Sequence, residues 1–101
     1  MTPEVESNQQ QVKKNEVVLL YKAQIAIDTL PKQQQEKITQ IINCLEYFPH
    51  CSQVEYKSLK SMMNYFLAKV GIYRIVFEFN NDKVTIVEIV NYERIKLLYN
   101  S

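Results

Sequence analysis

Six cations in the second half of this 101-residue chain stand where they can meet an anion: Lys57, Lys60, Lys69, Arg74, Arg94 and Lys96. Tyrosines Tyr65, Tyr92 and Tyr99 are interleaved with them. An arginine can grip a phosphate with two parallel hydrogen bonds, and a lysine supplies a point charge. Aromatic rings such as Tyr65 and Phe66 can stack on bases, though strand aromatics also serve as packing. Each cation has a plainer reading beside this one. Arg74 can be an exposed strand arginine paired with Glu78 or Glu88, and Lys57 and Lys60 can be solvated surface. The only histidine, His50, follows Pro49 at a helix end, where a loop or surface role is the expectation.

Other chemistries have no support in the residues. Cys44, His50 and Cys51 form no metal-ligand spacing, so neither metal nor cofactor is expected. With Gly71 as its single glycine, the chain holds no Walker loop, dinucleotide fingerprint or nucleophile elbow. Met62-Met63 reads as core filler or a partner contact.

The composition is that of a globular domain, with 47% apolar and 23% charged residues. The formal charge is only +1. Residues 1–56 carry five lysines against seven acids, net −2; residues 57–101 carry seven cations against four acids, net +3. An anionic partner would therefore favour the second half. Two cysteines are too few for a disulfide framework, and plain thiols are expected. The N-terminus lacks the apolar core of a secretory signal, and no apolar run approaches the roughly 20 residues that span a bilayer. A cytoplasmic protein without membrane association is the expectation.

The elements that must position these cations follow from the hydrophobic pattern. Residues 1–15 are polar and read as a flexible tail. Residues 16–101 read as one domain. Val17 to Tyr21 is a first strand. Ala23, Ala26, Ile27 and Leu30 share one face of a short helix over 22–30. Pro31 breaks it and can open the next helix, which Thr29 can cap. Ile38, Ile41, Ile42 and Leu45 form the apolar stripe of that second helix, ended by Phe48-Pro49. Residues 50–63 read as a connector of strand-like or turn-like character. Tyr65 to Val70 is a strand, and Gly71-Ile72 a tight connection or a bulge. From Tyr73 to Phe79 alternate residues are apolar, which points Arg74 away from the face that meets the helices. Asn80-Asn81-Asp82-Lys83 makes a hairpin turn. In the strand Val84 to Val90, strict alternation places Val84, Ile86 and Glu88 on one face. The tail from Asn91 to Ser101 reads as a short helix or an extended segment. Helices segregated to one side of an antiparallel sheet give an α+β domain.

Four stretches of this pattern, in order, resemble the RelE/ParE superfamily of bacterial toxins. They are the helical hairpin with Leu30-Pro31 and Phe48-Pro49, then Tyr56-Lys57-Ser58-Leu59-Lys60, then Lys69-Val70-Gly71-Ile72-Tyr73-Arg74-Ile75-Val76-Phe77, and finally the strand Val84 to Val90 with its charged, tyrosine-ended tail. The third, similar to a V-G-x-Y-R-I motif, is the most specific. The resemblance implies an N-terminal helical hairpin packed on a small antiparallel sheet. It implies the toxin half of a toxin–antitoxin pair, with a cognate antitoxin as partner. RelE-like members cleave messenger RNA at the ribosome and so inhibit translation; ParE-like members inhibit DNA gyrase.

Cleavage by 2′-hydroxyl attack needs a base, an acid and cations that hold the added phosphate charge. The resemblance places Arg74, Lys69 and Tyr99 in that catalytic role, with Lys57, Lys60, Arg94 and Lys96 as RNA-binding residues. The pattern also departs from the RelE type. Tyr65-Phe66-Leu67-Ala68 stands where lysines are common, and Asn91-Tyr92-Glu93 where a basic pair is common. These departures leave open a gyrase-directed toxin, or a toxin fold whose only activity is binding an antitoxin.

Overall fold

The computed structural model describes residues 14–93. In chain order the elements are β1 (Glu16–Leu19), α1 (Tyr21–Asp28), α2 (Lys32–Cys44), a 3-10 turn (Leu45–Tyr47), β2 (Glu55–Ser58), β3 (Tyr65–Val70), β4 (Tyr73–Asn80) and β5 (Lys83–Asn91). The strands form one sheet in the order β1-β5-β4-β3-β2. From β2 to β5 the pairing is antiparallel, whereas β1 lies parallel to β5, with Val17 opposite Val84. The α+β class stands, but the sheet is mixed rather than wholly antiparallel. The connector over 50–63 contributes β2, an exposed edge strand.

The two helices pack on one face of the sheet. The α2 stripe buries Ile38, Ile42 and Leu45, with Ile41 half-buried, against sheet residues such as Ile75, Phe77 and Ile86. Thr29 does not cap α2. Its hydroxyl donates to the Ala26 carbonyl at 2.9 Å and so closes α1, while Pro31 occupies the N-cap position of α2. Gln35 instead ties the helices together, its Nε2 donating to the Ile27 carbonyl at 2.8 Å.

Phe48 is the centre of the aromatic packing on this face. Its ring lies edge-on to Tyr56, Phe66, Phe77 and Phe79, with centroids 4.7 to 5.1 Å away. Asn15, at the end of the stretch whose composition reads as a tail, is buried. Its Nδ2 donates to the carbonyls of Leu45 at 3.2 Å and Phe48 at 2.8 Å, and its backbone N–H donates to Glu46 at 2.7 Å. Residues 1–13 lie outside the described residues.

The cysteines are not plain thiols: Cys44 and Cys51 are joined in a disulfide with Cα atoms 5.7 Å apart, inside the span a disulfide allows. The correction has a local cause. The 3-10 turn after α2 reverses the chain and brings Cys51 back to the helix end. Closing so short a loop is worth roughly 2 kcal/mol of chain entropy. Thermal unfolding with and without reductant should therefore show a lower midpoint when reduced. A Cys44→Ala protein should be insensitive to reductant; equal midpoints for the reduced and oxidised wild type would sink the expectation.

Both tight turns use positive φ. Gly71, at +60°, takes the first position of the two-residue β3–β4 turn, where a side chain is strained. Asn81 and Asp82, at +53° and +61°, fill the two-residue β4–β5 turn, residue types that tolerate this region best after glycine.

Strict alternation fails in β5. The pairing shifts between Val76 and Phe77, so that Val76 faces Glu88 while Phe77 faces Ile86, and Val87 is the extra residue of a bulge. Val84, Ile86 and Ile89 therefore meet the helices. Glu88 turns to the opposite face with Val76, against the alternation expected from sequence. Glu88 is 5% exposed and its Oε1 accepts from Lys22 Nζ at 3.0 Å. Among the described residues, no helix is long and apolar enough to cross a membrane.

Candidate functional site

The face of the sheet away from the helices is divided. Over one half, Leu59, Leu67, Val76 and Val90 are buried, with Met62, Tyr65 and Val87 packed on them. Tyr65 is thus packing, as is Phe66, which stacks on Phe77 at 5.5 Å on the other face. The other half is charged. Glu55 on β2 pairs with Lys69 on β3, and Lys69 with Arg74 on β4. Cross-strand partners point to the same face, so these three form one row across three strands.

The row borders a cleft of about 420 Å³ lined by Glu55, Tyr56, Lys57, Leu67, Lys69, Arg74 and Tyr92. Arg74, Lys69 and Lys57, singled out in the sequence, come together here. Lys60 follows β2 in an exposed turn and does not line the cleft. Tyr99, Arg94 and Lys96 lie outside the described residues. His50 lines a separate shallow depression beside the disulfide.

Arg74 does not take the surface pairing with Glu78 or Glu88. Glu88 is engaged by Lys22, and among the described residues Arg74 makes no ion pair. Its Nη1 donates to the carbonyls of Gly71 at 3.0 Å and Tyr73 at 2.9 Å, and its guanidinium carbon lies 4.5 Å from the centre of the Tyr92 ring. The side chain is held by neutral groups, and no carboxylate of the described residues pairs with it. That arrangement suits binding an anion.

Glu55, Tyr56, Leu67 and Tyr92 also line the cleft, and the sequence reading placed none of them beside Arg74. Tyr92 was grouped with the tail and not with Arg74. Glu55 was hidden in the connector, although Val54 to Leu59 alternates as a strand would. Glu55 Oε1 lies 3.7 Å from Lys69 Nζ, with both side chains more than half exposed. Such exposed pairs hold only about 0.2–1 kcal/mol, so a phosphate can displace the carboxylate. Glu55→Gln should tighten binding of a single-stranded RNA by about 1.5- to 5-fold at low salt. Fluorescence anisotropy at rising salt would show the gain shrinking as charges are screened; unchanged or weaker binding would remove Glu55 from the cleft's electrostatics.

An α+β domain with two helices on one face of a five-stranded mixed sheet, and a cationic cleft on the other, defines the class. Solved structures place it further. The chain is similar to the RelB–RelE antitoxin–toxin complex of Methanococcus jannaschii, with 19% identity, a TM-score of 0.69, and 81% of this chain and 98% of that chain covered. The archaeal RelE–RelB complex of Pyrococcus horikoshii OT3 is similar at 20% identity and a TM-score of 0.69, covering 80% and 98%. The isolated RelE toxin of E. coli is similar at 14% identity and a TM-score of 0.64, covering 76% and 83%. No family model and no curated protein matches the sequence. The fold is that of the RelE toxins.

Proposed function

We propose that this chain is the toxin of a toxin–antitoxin pair, acting in the cytoplasm as a RelE-like, ribosome-dependent messenger RNA endoribonuclease that inhibits translation. The observation that carries this reading is Arg74, charged, unpaired with any carboxylate of the described residues, and set beside Lys69 and Lys57 in an open cleft. In this reading Arg74 and Lys69 hold the phosphate charge that builds during 2′-hydroxyl attack, and Lys57 meets the RNA backbone. Tyr99 is proposed as a further catalytic group, with Arg94, Lys96 and Lys60 on the RNA. The ribosome and messenger RNA are then its working partners.

The antitoxin is proposed as a protein that neutralises the chain by covering its surface. The fold supports this, because similar structures are RelB–RelE complexes.

Inducible expression in bacteria without an antitoxin, beside an Arg74→Ala control, tests the proposal. Growth arrest with new messenger RNA ends, absent for Arg74→Ala, is the expected result. Arrest with intact messenger RNA would overturn it in favour of a gyrase-directed toxin. Normal growth of cells holding soluble protein would leave only antitoxin binding.

A further inference from the structure

Arg74 has five N–H donors in one plane, and the structure shows how they are divided. Nη1 is spent on the Gly71 and Tyr73 carbonyls. Among the described residues, Nε and Nη2 make no hydrogen bond. The face of the group rests on Tyr92. Tyr92 is itself fixed, since its backbone N–H donates to the Ile72 carbonyl at 2.8 Å. That bond ties the end of β5 to the turn that supplies the Gly71 carbonyl. The segments that carry the ring and the Gly71 carbonyl are thus joined; Tyr92 borders the cleft, and Gly71 borders a neighbouring depression that Arg74 and Tyr92 also line.

We propose that Tyr92 is a positioning residue for Arg74: its ring face, with the Gly71 and Tyr73 carbonyls, fixes the guanidinium so that its Nε/Nη2 edge is the fork that grips a phosphate. The inference rests on the proposed nuclease function and adds to it a residue and an orientation. Three consequences follow from the chemistry. First, the fork is pre-set, so the side chain loses little freedom when a phosphate arrives. Second, the ring is needed for its face and not for its hydroxyl, because cation–π attraction acts through the quadrupole. Third, an ammonium cannot replace the group, since it cannot donate to two carbonyls and still offer a planar fork.

The test uses the full chain with Tyr92→Phe, Tyr92→Leu and Arg74→Ala. Cleavage of messenger RNA on programmed ribosomes is measured beside the Nε–Hε resonance of Arg74, assigned by its loss in Arg74→Ala. The wild-type resonance should be shifted upfield by the ring. Tyr92→Phe should keep both the shift and the rate. Tyr92→Leu should lose the shift and slow cleavage by about 5- to 10-fold. An Arg74 resonance at the position of a free arginine in the wild type overturns the proposal, whatever the folding of the variants. Full cleavage by Tyr92→Leu while Arg74→Ala is inactive overturns it too, and leaves the nuclease reading standing. Equal slowing in Tyr92→Phe would place the effect in the hydroxyl and overturn it. Full cleavage by Arg74→Ala would remove the nuclease role of Arg74 and the proposal with it.

Discussion

Arg74→Ala is expected to lower the rate of messenger RNA cleavage on programmed ribosomes by about 100- to 1000-fold, the usual loss when one group that stabilises transition-state charge is removed. The size follows from the site's sparse charge. Of the described cations lining the cleft, Lys69 is shared with Glu55 and Lys57 sits on the exposed edge strand. Arg74 is the one held in place, by two carbonyls and a ring. Truncation also frees those carbonyls and the ring face, which are near solvent and cost little stability. The variant should therefore melt close to the wild type while its rate collapses. Arg74→Lys should recover charge without the fork, and remain about 10-fold or more below wild type. Single-turnover kinetics at saturating protein separates this loss from weaker binding. A rate within about threefold of wild type for Arg74→Ala, with Glu55→Gln equally silent, would mean that the cleft is not where phosphate is handled.

The placement of Arg74 and Lys69 was legible because β3 and β4 are regular strands. Within Tyr65–Val70 and again within Tyr73–Phe79 every second residue faces the helices, so one apolar assignment in each strand settles the face of its neighbours. Their residue types then limit the chemistry to anions. The helix stripe at Ile38, Ile42 and Leu45 was legible for the same reason, a period that burial makes visible.

What escaped depends on geometry between distant segments. The parallel pairing of β1 with β5 joins residues more than sixty positions apart, and no local pattern records a partner's direction. The bulge at Val87 puts Glu88 on the face of Val76, and Glu88 is paired with Lys22 of α1. A period-two reading has no register for an extra residue. The disulfide required Cys51 to fold back on Cys44 through a turn whose course was not evident from two cysteines alone. The contact of Tyr92 with Arg74 was not legible because the two are eighteen residues apart and meet only across the β4–β5 pairing.

Phe48→Ala is expected to destabilise the domain by about 3–5 kcal/mol, the range for emptying a buried aromatic site. Phe48 is 5% exposed and holds four rings edge-on, three of them on the sheet strands β3 and β4 and one on the edge strand β2. The cavity cannot collapse easily. Asn15 pins the Phe48 carbonyl, and the disulfide closes the segment around it. At roughly 4–8 °C per kcal/mol for a domain of this size, the midpoint should fall by about 12 °C or more. Urea titration at constant slope should report the same loss. A shift below about 4 °C would mean that the aromatic cluster repacks, and that Phe48 is not its centre. The consequence reaches the cleft as well. Tyr56 leans on Phe48 from the edge strand, with Glu55 and Lys57 on either side of it. Amide exchange in β2 should therefore rise in Phe48→Ala ahead of exchange in β4, where Arg74 is held by strands on both sides. The variant would then separate the two halves of the site, loosening the residues that β2 contributes while leaving the arginine in its frame.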